Sequence, residues 1–177
     1  MKTKMMLLAM LCATSAGQAN AEEYRVEMLN KAADGRVMAF EPAVIRAQPG
    51  DTVTFVAKDK GHNSALMKGG APEGAETWKG KINEEVTVTL SKPGVYMYQC
   101  APHVGMGMIG AIVVGEPANL EAVKGIKYPG KSKAAAEKIF AEIESGGWTG
   151  CCCSFLTPVL VTRAYTYLLL WWEPLPW

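Results

Sequence analysis

An all-β sandwich or barrel with two short helices at its C-terminal end is the fold this 177-residue sequence predicts. Three observations carry the prediction. Between Tyr24 and Gly115, short apolar-alternating runs are separated by clusters of Gly, Pro, Asn and Asp. Turn signals such as Pro49-Gly50-Asp51 and Pro93-Gly94 fall between those runs, where the backbone must adopt angles most residues resist. After Gly115 the apolar period changes from that of a strand to that of a helix.

Taken in order, residues 1–21 read as a signal peptide. Lys2 and Lys4 make a basic start, Met5 to Cys12 an apolar centre, and Ala19-Asn20-Ala21 a small-x-small cleavage site. The mature, exported chain then begins at Glu22. Cys12 is not a lipoprotein cysteine, because Ala9-Met10-Leu11 puts no small residue next to it. Alternation predicts strands over Tyr24 to Leu29, Ala43 to Ala47, Thr52 to Lys58, Glu85 to Leu90, Gly94 to Cys100 and Met108 to Val114. Their number and spacing suit a sandwich over residues 22–115.

Residues 116–145 supply two helices, Ala118 to Lys124 and Lys131 to Ser145. Ala136, Ile139, Phe140 and Ile143 share one face of the second, so both helices should pack on the sandwich. Residues 146–177 fit neither pattern. The apolar run from Phe155 to Trp172 is broken by Pro158 and Arg163, and a charge near the centre of a membrane span costs about 2.5–3.5 kcal/mol. This tail therefore reads as a disordered or non-native extension rather than a membrane anchor.

Composition narrows the function. With 18 basic and 17 acidic residues the chain lacks the positive excess of a nucleic-acid binder. Only Cys100 lies between residues 22 and 150, so in an oxidising compartment it has no disulfide partner within its own domain. It is a buried spectator, a reactive thiol or a metal ligand.

"YQCAPHVGMGMIG" decides among these. Cys100 ends an apolar strand, His103 follows three residues later, and Met108 opens the next strand. Upstream, "DKGHN" places His62 after another strand, at the same end of a sandwich. Two imidazoles, one thiolate and one thioether form the ligand set of blue-copper electron-transfer sites. Asn63 is placed to tie the two loops together around the sulfur. Pro102 has no amide hydrogen, which removes one donor to the Cys100 sulfur and should lower the reduction potential. Other readings stay open at this point. They are a copper-trafficking protein, a structural zinc site short of a fourth good ligand, a Cys–His nucleophile pair without an obvious pocket, and a redox protein tethered by its tail.

Six segments, "VEMLNK", "FEPAVIRAQPGDTVTF", "DKGHN", "GAETWKGKINE", "PGVYMYQCAPHVGMGMIG" and "PANLEAVKG", stand in an order that resembles the pseudoazurins, a family of periplasmic cupredoxins. The likeness runs from about Glu22 to Ser145. The 38-residue interval from His62 to Cys100 and the trailing helices favour this family over plastocyanin-like ones. The resemblance implies an eight-stranded Greek-key cupredoxin β-sandwich holding one type 1 copper ion on His62, Cys100, His103 and Met108, cycling between Cu(I) and Cu(II). It implies a monomeric periplasmic electron carrier with no catalysis of its own and no nucleic-acid or membrane partner. Electrons would pass to copper nitrite reductase or, in some members, to cytochrome cd1 nitrite reductase or nitrous oxide reductase.

The resemblance also implies that His103 is the solvent-side ligand, in an apolar patch with Pro102 and Met106. Lys31, Lys60, Lys79 and Lys81 match the lysines that ring that patch in the family, with Lys58 and Lys68 near in sequence. Gln99 stands where the family often carries Lys, and the tail has no family counterpart.

Overall fold

A computed structural model describes residues 21–146; the signal peptide expected over residues 1–21, apart from Ala21, and all but the first residue of the tail expected over residues 146–177 lie outside the described residues. Eight strands form two four-stranded sheets: β1 (Glu23–Lys31), β2 (Val37–Glu41), β3 (Val44–Ala47), β4 (Thr52–Ala57), β5 (Ala65–Leu66), β6 (Val86–Thr89), β7 (Gly94–Gln99) and β8 (Ile109–Val114). One sheet runs β2-β1-β4-β6 and the other β3-β8-β7-β5. Non-consecutive neighbours, β1 parallel to β4 and β3 parallel to β8, give the crossovers of a Greek-key sandwich.

The six predicted strands are present, with ends that differ by at most two residues. Two strands are additional. β2 escaped alternation because Met38 adopts a left-handed backbone, φ 53°, which breaks the period-2 pattern. β5 is only two residues long, too short for any periodic signal.

Strand parity sorts the side chains into two cores. Val26, Met28, Phe40, Val53 and Phe55 of the first sheet face Ile45, Tyr96, Tyr98, Cys100 and Ile112 of the second. The opposite face of β7 and β8, with Val95, Met97, Ala111 and Val113, packs against the helices. All six residues of β8 are buried, because this strand is covered on both sides. A one-residue slip of β7 would turn Cys100 out of the inner core.

The helices are α1 (Leu120–Lys124) and α2 (Ser132–Ser145). Ala136, Ile139, Phe140 and Ile143 of α2 are buried against the second sheet, as their spacing requires. Arg46 of β3 donates from Nη2 to the carbonyls of Glu142 and Ile143, both at 3.1 Å, satisfying the end of α2 where the helix dipole favours a cation. Asn119 joins α1 to β7, accepting from Val95 N–H at 2.6 Å and donating to Val95 C=O at 3.0 Å. Among the described residues no helix is long and apolar enough to cross a membrane.

Candidate metal centre

Cys100 follows the last residue of β7, and its N–H donates to Met108 C=O at 3.0 Å, closing the loop at its base. Within the loop, His103 N–H donates to Cys100 C=O at 3.1 Å. Met106 N–H and Met108 N–H return to His103 C=O at 2.9 and 3.3 Å. A single 3-10 turn, Val104–Met106, and left-handed Gly107 make this reversal possible. The start of α2 buttresses it, with Ser132 Oγ donating to Val104 C=O and Lys131 N–H to Gly105 C=O at 3.0 Å. Met108 is thereby brought back, fully buried, into the core cluster that contains Cys100.

His62 lies in the loop after β4. That loop is held by Asn83, whose Oδ1 accepts from Gly61 N–H at 2.6 Å and whose N–H donates to His62 C=O at 2.8 Å. Asn63 bridges the two loops as its sequence position suggests: Oδ1 accepts from Ala101 N–H at 2.9 Å and Nδ2 donates to Gly80 C=O at 3.0 Å. Trp78 Nε1–H donates to Ser64 Oγ at 2.9 Å on the same stretch.

Three donor atoms converge as a result. His62 Nδ1 stands 3.1 Å from His103 Nδ1, and Cys100 Sγ stands 3.7 Å from the first and 3.4 Å from the second. His62 and Cys100 are buried, while His103 is partly exposed. His62 Nε2 lies 3.0 Å from Asn30 Oδ1, an acceptor only, so the ring proton is on Nε2 and the Nδ1 lone pair points into the cluster. Two imidazole nitrogens and a sulfur facing one another at these distances need a cation or a proton between them. Burial, then the nearby His103, hold His62 below the ordinary histidine range, which keeps it neutral and able to ligate.

The sulfur is poised differently. Burial pushes the Cys100 thiol up, and backbone N–H groups of Asn63 and His103 facing the sulfur pull it back down. A bound cation supplies the remaining attraction that makes a thiolate. This donor set, His₂Cys with the Met108 thioether buried in the same core cluster, fits copper and offers only three good ligands to zinc.

Around the centre, Pro102 and Met106 are exposed beside His103, Met106 at 48%. Lys31, Lys60, Lys79 and Lys81 are all exposed. Lys81 pairs with Glu84 at 3.4 Å, and Lys58 with Glu27 at 2.7 Å, so part of the lysine charge is locally compensated. Sequence reasoning missed Asn30, Asn83 and Trp78. Their partners are between 14 and 32 residues away, and no local pattern marks them.

Comparison with known proteins agrees with this geometry. Residues 26–115 match the family model of copper binding proteins of the plastocyanin/azurin family. A pseudoazurin of Paracoccus pantotrophus is 48% identical over 124 residues, covering 70% of this chain and 83% of the relative. One from Methylorubrum extorquens is 41% identical over 138 residues, covering 77% and 92%. A solved pseudoazurin from Sinorhizobium is 99% identical, covers 71% of this chain and 99% of that chain, and superposes with a TM-score of 0.70.

Proposed function

The chain belongs to the pseudoazurins, within the plastocyanin/azurin family of copper-binding proteins, and from that premise we propose how its residues carry out electron transfer. It is a blue copper electron carrier and not an enzyme. In the proposed arrangement His62 Nδ1, Cys100 Sγ and His103 Nδ1 hold the copper, with Met108 as the weak fourth ligand. The single observation that carries this is the convergence of those three atoms within 4.8 Å of one another.

When bound, copper supplies one-electron chemistry between its cuprous and cupric states. The protein contributes a site that changes little on transfer. Cys100 and Met108 are anchored to each other through their main chains, and His62 is held by Asn30 and Asn83. His103 is the partly exposed member of the set, and with Pro102 and Met106 it forms the face at which electrons leave.

The acceptor in this reading is copper nitrite reductase or another periplasmic redox protein with an acidic rim. The exposure of Lys31, Lys60 and Lys79, together with that of Pro102 and Met106, supports it, because small redox encounters rely on charge steering. Periplasmic location is supported by the basic, apolar and small-residue series of residues 1–21.

The decisive experiment is the visible spectrum of the copper-loaded protein. An intense thiolate-to-Cu(II) band and a reversible voltammetric wave are expected, both abolished by Cys100→Ser. A colourless oxidised protein, or colour that survives Cys100→Ser, would overturn the ligand assignment. Transfer to an acidic reductase should slow with rising ionic strength; a flat profile would reject steering by these lysines.

A further inference from the structure

Asn30 is the exposed support of a buried ligand. It is the penultimate residue of β1, and its side-chain Oδ1 takes the Nε2–H of His62 at 3.0 Å. An exposed amide at a strand end needs something to hold it still, and both neighbouring ladders lapse at this position. The parallel ladder of β1 with β4 ends at Met28↔Ala57, and Asp59 N–H still donates to Met28 C=O at 3.2 Å. Asn30 N–H then donates to the side chain of Asp59, Oδ2 at 2.6 Å, where a main-chain carbonyl would continue the ladder. On the other edge, β1 pairs with β2 at Leu29↔Ala39 and Lys31↔Val37. The intervening residue opposite Asn30 is the left-handed Met38, and that rung is missing.

From this geometry we infer that Asp59 is a positioning residue for His62, acting through Asn30. The inference rests on His62 being a copper ligand. The segment from Asp59 to His62 clasps Asn30 at two points, accepting from its backbone with the Asp59 carboxylate and donating to its side chain with the His62 ring. The Asp59 side-chain oxygen takes the place of the main-chain acceptor that the lapsed ladder no longer offers, so it sets where the Asn30 backbone sits. The side-chain amide then sets the tautomer and tilt of the ligand ring.

The test is solvent exchange of the His62 Nε2–H, followed by NMR in the diamagnetic Cu(I)-loaded protein, together with the reduction potential. Asp59→Ala removes the acceptor, and Asp59→Asn keeps an oxygen acceptor while removing the charge. Asp59→Ala should speed exchange at least about tenfold, equivalent to ~1.4 kcal/mol, and move the potential, while Asp59→Asn stays within roughly threefold of the unaltered chain. Unchanged exchange in Asp59→Ala overturns the proposal. Equal effects of Ala and Asn overturn it too, since they would assign the effect to charge alone. Asp59→Ser, too short to span the bond, replaces Asp59→Ala if the latter does not fold. Failure of the ligand reading is distinguishable, because the unaltered chain would then lack the thiolate band or His62→Ala would leave that band unchanged.

Discussion

The phenol end of Tyr98 occupies the space beside Gly110, its cross-strand partner, that any larger residue would need. A Cβ at Gly110 would lie 2.4 Å from the Tyr98 hydroxyl. The ring cannot retreat, since Phe40 and Phe55 pack edge-on against it with centroids at 4.8 Å. Gly110→Ala is therefore expected to destabilise by about 1–3 kcal/mol through overpacking. An unfolding free energy from urea denaturation lowered by less than about 0.3 kcal/mol would show that the core yields at this point.

Tyr98 also carries a buried hydroxyl with no hydrogen-bond partner among the described residues. Burial raises its pKa well beyond the ordinary value. An unpaired buried hydroxyl costs about 1–3 kcal/mol of desolvation, so Tyr98→Phe should be neutral or stabilising by up to ~1 kcal/mol. Chemical denaturation checks this, and a loss of stability would reveal a partner for the hydroxyl.

Pro102 stands between two residues that matter to the sulfur, Cys100 and His103, and contributes no N–H there. The backbone donors that do face the sulfur come from Asn63 and His103. Pro102→Ala adds a possible donor, which would draw charge off the sulfur and weaken its donation to Cu(II), stabilising the oxidised site less than the reduced one. The reduction potential should rise; cyclic voltammetry giving no change or a fall would exclude this role.

Stability should fall above pH 10. Burial, then the Glu22 hydrogen bond, pushes Tyr24 up to about 12, and burial does the same for Tyr128. Both groups keep their protons in the folded chain while the unfolded chain loses them near 10. Their contribution is complete below pH 10 and is lost as pH rises towards 12. Urea midpoints measured from pH 9 to 12 should decline over that window, and Tyr24→Phe with Tyr128→Phe should flatten the decline. An unchanged slope in the double variant would count against it.

Much of the fold was legible in the chain because its signals are local. Alternation marks six strands, and the period of Ala136, Ile139, Phe140 and Ile143 marks the buried face of α2. Cys100, His103 and Met108 share one loop, so their spacing already confines them to one end of the sandwich. β2 and β5 were not legible, the first because Met38 leaves the extended backbone and the second because two residues have no period.

The sequence by itself determined the donor types, the strand that buries the sulfur and the loop that returns Met108 to the base of that strand. Tertiary structure alone decided what holds those donors in place. Asp59 reaches Asn30 across 29 residues, Asn30 reaches His62 across 32, and Arg46 reaches the end of α2 across 96. Hydrogen bonds of that span depend on strand order and register, which bring distant residues together only after the sheets have assembled.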